Sequence, residues 1–281
     1  LMPRSFVEQA VARCSLENSK YFFNCNPEHP YHWFYIEWIK KAKEKQVLYI
    51  HFTMDDNPSL SQSVKDRYKS LYSGAFYERF IEGKWVTAQG LVYPMFSPER
   101  HIKKCKGKFN RFYLSCDYGT VNPFSLGLWG ECDGKWFRLD EYYYSGRDNG
   151  IQLTDEEYYR ELEKLAENRE ITALIIDPSA ASFIQTVLRH GKFRVIKANN
   201  DVLTGINRVC QALKDEEIFI YPSCTDAIRE FSIYRWDDNI KKDAVKKEND
   251  HAMDDIRYFV ATVLGRENQN SSFASVAIER N

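Results

Sequence analysis

The sequence predicts an α/β protein built on a mixed sheet, with three antiparallel strands, then parallel strands, and helices flanking them. Three observations carry this expectation. Residues 111–119 (RFYLSCDYG) read as a buried strand that runs out into Asp117, with Gly119 permitting a turn. Residues 173–178 (ALIIDP) repeat the pattern: an apolar, β-branched run ends in Asp177 and is stopped by Pro178. Between them, 124–130 and 135–144 read as two strands joined by Cys132-Asp133-Gly134, and Asp-Gly is a strong hairpin signal.

The elements follow in order. Residues 6–13 read as a short helix and 20–25 (KYFFNC) as a buried strand broken by Asn26-Pro27. An aromatic-rich helix over 31–44, a strand over 47–53 and short helices over 61–70 and 74–81 come next. Gly90, Pro94 and Pro98 punctuate 89–110, and Lys103, Lys104, Lys106, Lys108 and Arg111 make its end basic, which predicts a solvated linker. Beyond the three strands, 154–168 is a helix with a Thr154/Glu157 capping box. Then come a strand over 173–176, a helix over 182–189, a strand over 193–198 and a helix over 202–214. A short strand over 218–221, a short helix over 225–231 and a last helix over 250–264 complete the pattern. The expected organisation is therefore a first domain over 1–88, a linker over 89–110, a second domain over 111–267 and a polar tail over 268–281.

Composition bounds the rest. With 281 residues, 43% of them hydrophobic, the chain has enough apolar matter for a real core. A formal net charge of -1 does not advertise a nucleic-acid partner, so any such surface must be local. The seven cysteines are odd in number and form no C-x-x-C, which fits reduced thiols better than a disulfide framework or a zinc site. No run approaches the roughly 20 apolar residues a membrane span needs, and Arg4, Glu8, Arg13 and Glu17 near the start exclude a signal-peptide pattern there. The chain opens at Leu1 in what reads as mid-domain sequence, so a piece of a longer protein is expected.

A third acidic group lies on the last helix, in 249–258 (NDHAMDDIRY). His251 and Asp254 are three apart, and Asp250 and Asp254 four apart, so all three share a face. Met253, Ile256, Val260, Val263 and Leu264 form the apolar stripe behind them. Asp255 lies about 100° round from Asp254, so the two cannot point at one metal. Asp254 is the favoured third acid, with His251 an auxiliary ligand or proton carrier; Asp250 can serve as a helix N-cap instead. Two unit charges about 4 Å apart repel by about 4 kcal/mol at an effective dielectric of 20. Two divalent cations, Mg²⁺ or Mn²⁺, would remove that cost and supply phosphodiester chemistry.

The element order resembles the ribonuclease-H-like fold. That resemblance implies that the first and fourth strands are neighbours, which brings Asp117 and Asp177 together, and that the last helix adds Asp254. More specifically, the chain resembles the large terminase subunit of tailed bacteriophages and prophages. The matching stretches are 113–119, 173–178, 197–209 (KANNDVLTGINRV) and 250–258, with 22–27 (FFNCNP), 56–60 (DNPSL) and 83–96 (GKWVTAQGLVYPMF) upstream. The resemblance covers about Leu1 to Leu264. It implies metal-ligand roles for Asp117, Asp177 and Asp254, with His251 beside them. Asp255 stands where many members have a small residue, and Arg257 is placed to pair with a neighbouring carboxylate.

The implied activity is metal-dependent endonucleolytic cutting of concatemeric double-stranded DNA in the cytoplasm of a bacterial host. The implied partners are DNA, a small terminase subunit and a portal protein, with no membrane. The implied first domain is the end of a P-loop ATPase domain; because no G-x-x-x-x-G-K-[ST] occurs, ATP turnover is not expected. Lys241, Lys242, Lys246 and Lys247, and separately Lys197, Asn199, Asn200 and Arg208, are candidate DNA contacts. Two other readings stand beside this one: a resolvase- or transposase-type phosphoryl transferase, and a non-catalytic docking module of the motor. The upstream block counts against the first and the three acids against the second.

Overall fold

A computed structural model describes residues 3–28, 30, 32–72, 74–86, 88–237 and 243–265. The expected tail over 268–281 lies outside the described residues. The chain divides into two compact units. One comprises Leu1–Gly90 with Trp236–Val245, and the other Leu91–Arg235 with the described residues from Lys246 on.

In the first unit, α1 (Arg4–Ala12), a helical stretch centred on a π-helical turn at Tyr35–Ile39, α2 (Gln62–Leu71) and α3 (Gly74–Phe80) follow in order. The Ser61 side chain accepts from the Val64 amide and caps α2. On α3 the buried Arg79 pairs with Asp243 and donates to the Val86 carbonyl, and Phe76 packs against Trp236. The strands expected over 20–25 and 47–53 do not form ladders among the described residues. Both stretches carry β-type sequence, yet Phe22 is 89% and Leu48 81% exposed. A strand exists only with a partner, and local propensity cannot supply one.

The second unit contains α4 (Pro98–His101), β1 (Arg111–Asp117), β2 (Phe124–Cys132), β3 (Lys135–Tyr144) and α5 (Gly146–Asn149). It continues with α6 (Asp155–Ala166), β4 (Ile171–Ile176), α7 (Ala181–His190), β5 (Val195–Lys197) and α8 (Val202–Lys214). Then come β6 (Ile218–Ile220), α9 (Thr225–Ile233) and α10 (His251–Phe259), which runs on as a π-helical turn over Val260–Leu264. Six strands form one mixed sheet in the order β5-β4-β1-β2-β3-β6. β1, β2 and β3 are antiparallel neighbours, whereas β4 pairs parallel with β1, β5 with β4, and β6 with β3. The Thr154/Glu157 capping box opens α6, and Asp201 caps α8 through the Thr204 amide.

Alternation along the strands assigns the two faces. Leu114, Cys116, Leu174 and Ile176 pack with Tyr158, Leu162, Phe183 and Val187 from α6 and α7. Tyr113 and Ser115 point the other way, toward α10. There Phe259 stacks on Trp129 with ring centroids 4.2 Å apart, while Tyr113 and Trp136 meet it edge-on.

Two further expectations change. The stretch 89–110 is solvated only in part: Lys103, Lys104, Lys106 and Lys108 are exposed, whereas Val92 and Tyr93 are buried and His101 hydrogen-bonds the Leu213 carbonyl at 2.9 Å. Nor are all the thiols reduced, because Cys105 and Cys132 form a disulfide. Their closeness arises where the chain before β1 runs beside the end of β2, with the Asn110 amide on the Glu131 carbonyl, a long-range pairing that cysteine spacing does not encode. Gly127 on β2 lies directly under the Arg138 guanidinium, so an added Cβ has no room. Gly127→Ala is expected to destabilise the protein by about 1–3 kcal/mol through overpacking, measured by urea denaturation.

Candidate metal centre

Asp117 is the last residue of β1, and Asp177 follows the last residue of β4. The strands are parallel neighbours with Cys116 opposite Ile176, and both of those side chains point into the α6/α7 core. Asp117 and Asp177 therefore emerge side by side on the α10 face, at the strand ends. α10 crosses that face and carries His251, Asp254 and Tyr258. The His251 Nδ1 lies 2.8 Å from an Asp117 oxygen. The Tyr258 hydroxyl reaches Asp177 and feels the charge of Asp117 and Asp254 as well.

Each acid is held differently. Asp177 accepts from the Ser179 amide at 2.7 Å and from the Asn200 side chain at 3.3 Å. Burial works against its charge, but these hydrogen bonds prevail and hold the carboxyl below its ordinary range. Asp254 gives one oxygen to Arg257, at 3.2 Å from Nε and 2.9 Å from Nη2. Its other oxygen lies 3.6 Å from the Lys247 ammonium. Asp117 is pushed up to about 6, first by burial and then by the charges of Asp254 and Asp255, against the pull of His251. For His251 burial opposes the charge, yet the hydrogen bond to Asp117 and the fields of Asp117, Asp250 and Glu230 raise it. Asp250 is buried and raised, foremost by burial and then by Asp254, and it contacts Lys247 at 3.4 Å. It sits at the N-cap position of α10 but makes no side-chain capping bond.

Asp255 has a separate role. It is fully buried and accepts from Ser115 at 2.8 Å, from Ser125, and from both terminal nitrogens of Arg138, with the Nη2 contact at 2.9 Å. With every lone pair engaged by protein donors, it ties α10 to β1, β2 and β3 and has none to offer a cation.

The candidate DNA contacts divide likewise. Lys197 is exposed at the end of β5, opposite Ile176 and thus at the same sheet end as the acids. Lys246 is half-buried, and Lys247 faces Asp250 and Asp254. Arg208 donates to the Ala261 carbonyl at 2.6 Å, a tie between α8 and the end of α10. The Asn199 amide donates to Thr262. Lys241 and Lys242 lie outside the described residues.

Sequence reasoning missed Glu230, Arg138 and Tyr258. Periodicity could have found Glu230, since it shares the buried side of α9 with Ala227 and Phe231. Arg138 stands two residues from Trp136 on β3, so alternation puts it on the α10 face.

Asp117 and His251 are in contact, Asp177 follows the end of the neighbouring strand, and the charge of Asp254 reaches Asp117. Carboxylates and an imidazole are donors that suit a hard divalent cation, although among the described residues these four side chains are not already drawn within reach of a single ion. The second unit is thus an α/β module with a candidate metal centre at its strand ends. Residues 3–99 match a family described as terminase large subunit, T4likevirus-type, N-terminal. The terminase large subunit of Escherichia phage T5 is 20% identical over 229 residues, covering 76% of this chain and 51% of the relative. The large terminase of a thermophilic bacteriophage is 48% identical, with a TM-score of 0.86 over 94% of this chain and 66% of that one. The complex of that same terminase with ATP-γ-S gives equal identity and TM-score over 94% and 68%. The chain belongs to the large terminase family. It spans about half the length of the T5 relative and about two thirds of the thermophilic one.

The charges at this site predict a stability that varies with pH and with added divalent cation. Asp117 and Glu230 hold protons when folded at pH values where the unfolded chain has released them, and the raised His251 has the same sign. Metal-free protein should therefore melt highest near about pH 5 and progressively lower toward about pH 8, while Mg²⁺ should recover stability most at the upper end; differential scanning calorimetry in EDTA and in Mg²⁺ checks this. Asp255→Ala should cost about 3–5 kcal/mol by stranding Arg138, and an added Arg138→Met should recover much of the loss, as read in a double-mutant cycle.

Proposed function

We propose that this chain carries the metal-dependent endonuclease of a phage DNA-packaging motor, housed in a ribonuclease-H-like unit over 111–267. The observation that supports the reading is the contact of His251 with Asp117 at the end of β1, beside the strand that ends before Asp177, with the charge of Asp254 felt at Asp117. These four residues are the proposed ligands of two divalent cations, Mg²⁺ or Mn²⁺. When bound, such ions activate water and stabilise the leaving oxygen of a phosphodiester.

The chain's own residues do the positioning. Ser179 and Asn200 fix the Asp177 carboxylate, and Arg257 fixes one oxygen of Asp254 and leaves the other directed away from it. Arg257 is itself oriented by the Asn200 carbonyl at 3.0 Å, so Asp177 and Asp254 share one support. His251 shares a proton with Asp117 at Nδ1, which places a proton carrier beside the strand-end carboxylate. Lys197 and Lys246 are the proposed phosphate contacts among the described residues.

The proposed substrate is concatemeric double-stranded DNA, the proposed partners are a small terminase subunit and a portal protein, and the proposed compartment is the host cytoplasm. Among the described residues no helix is long and apolar enough to cross a membrane. Residues 1–88 are proposed to be part of the ATPase domain. They lack the glycine-rich phosphate loop, so ATP turnover by these 281 residues is not expected.

Plasmid digestion in Mg²⁺, Mn²⁺ or EDTA tests the reading. Cutting is expected with either metal and not in EDTA. Asp117→Ala and Asp254→Ala should each reduce it by more than about 100-fold, beyond the 10–100-fold typical of outer-shell partners. Asp117→Asn should melt no lower than wild type in EDTA, because it removes a crowded charge. Cutting by Asp117→Ala at the wild-type rate would overturn the assignment, and a coupled assay showing phosphate release from ATP would overturn the inactive ATPase segment.

A further inference from the structure

We propose that Glu230 is a positioning residue for the metal centre: from α9 it clamps the first turn of α10, and so sets where His251 and Asp254 stand. The inference rests on the reading of that site given above.

Glu230 is fully buried and lies on the helix that precedes α10. One carboxylate oxygen accepts from the Ala252 amide at 2.8 Å and from the Met253 amide at 3.3 Å. The other accepts the Tyr143 hydroxyl at 2.7 Å, with the Arg229 guanidinium 3.5 Å away. The two amides are the second and third residues of α10, whose free N–H groups need an acceptor. Asp250, at the N-cap position, gives them none from its side chain. An acceptor oxygen from another helix therefore does the work of a cap, and once Glu230 gives up its proton, above about pH 7, its negative charge is also favourable at the helix N-terminus.

The clamped residues lie between His251 and Asp254. A shift or rotation of this turn would move the imidazole off Asp117 and turn Asp254 away from the strand ends. Glu230 is itself held from both sides. Tyr143 on β3 fixes one oxygen, and α9 is anchored at its own start by Glu141, which accepts from the Asp226 amide at 2.7 Å. The centre is thereby referenced to β3 as well as to β1 and β4, which carry its acids.

Mn²⁺ binding to the whole chain, measured by isothermal titration calorimetry, tests this without requiring activity. Glu230→Gln keeps the shape and one acceptor and loses the second acceptor and the charge. It is expected to weaken Mn²⁺ binding about 10–100-fold, as outer-shell changes do. Tyr143→Phe, which frees Glu230 without touching α10, should weaken it by a smaller factor. Asp117→Asn should abolish binding and so identify the measured site. Glu230→Gln binding Mn²⁺ as wild type does, even with a lowered melting temperature, reduces Glu230 to a stability role and overturns the proposal. If Glu230→Gln does not fold, unchanged affinity in Tyr143→Phe overturns it instead. Wild type that binds no Mn²⁺, or Asp117→Asn that binds it normally, removes the metal centre itself and this proposal with it; the two failures are thus read from different proteins.

Discussion

The buried pair between Asp255 and Arg138 is the constraint on which the geometry of the candidate site depends. Both side chains are fully buried, and a charge in that setting persists only with its partner in place. The bidentate contact, with Ser115 and Ser125 on the same carboxylate, fixes the height and rotation of α10 over the sheet. Once Asp255 is committed to β3, the helix repeat turns Asp254 about 100° away from it, to where Arg257 and Lys247 meet it. The adjacent acids Asp254 and Asp255 thus differ: Asp255 fixes the helix to the sheet, and Asp254 is the one left to the candidate site.

The same pair closes a ring of interactions. Arg138 also donates to Glu141 at 3.3 Å, Glu141 accepts from the first amides of α9, and Glu230 on α9 accepts from the first amides of α10. α10 then returns to Arg138 through Asp255. Two helix N-termini, each with free donors, are satisfied by carboxylates from the preceding element in the ring. Hydrogen bonds in such low-dielectric surroundings are strong when complete and costly when broken, so the ring favours a single arrangement of β3, α9 and α10. Apolar packing alone, such as Phe259 on Trp129, holds α10 down but resists sliding less well.

What the sequence made legible was local. The β2–β3 hairpin, the capping box on α6 and the run of α8 are encoded within a few residues of each other, and the structure places them where turn chemistry and periodicity put them. The parallel placement of β4 beside β1 came from the resemblance in element order. The unsupported expectations were those needing a distant partner. Residues 20–25 and 47–53 have strand composition but no ladder among the described residues, and within 89–110, whose lysines are exposed, Tyr93 and His101 nonetheless find buried places. At the site, the acids could be named from strand ends and helix spacing. Their supports, Arg138, Glu230 and Tyr258, depend on contacts across the sheet and between helices that no local pattern specifies.

The electrostatics of the centre explain how several acids coexist on one face. Asp117 meets an imidazole and Asp177 is held by neutral donors, so neither has a permanent positive partner in the fold. Asp254 has two. Arg257 is 2% exposed and gripped by Asn200, whereas Lys247 stands 68% exposed on a flexible stem. The fixed guanidinium commits one oxygen of Asp254. The mobile ammonium offsets charge at the other without enclosing it, and a contact of 3.6 Å at an exposed lysine is weak. The cluster is therefore incompletely neutralised by its own chain: one partner can give up a proton and another can swing away. A structural ion-pair network would be closed, as the one around Asp255 is. The contrast between a closed network and an open one on neighbouring residues of a single helix is what separates the part of α10 that builds the fold from the part that faces the site.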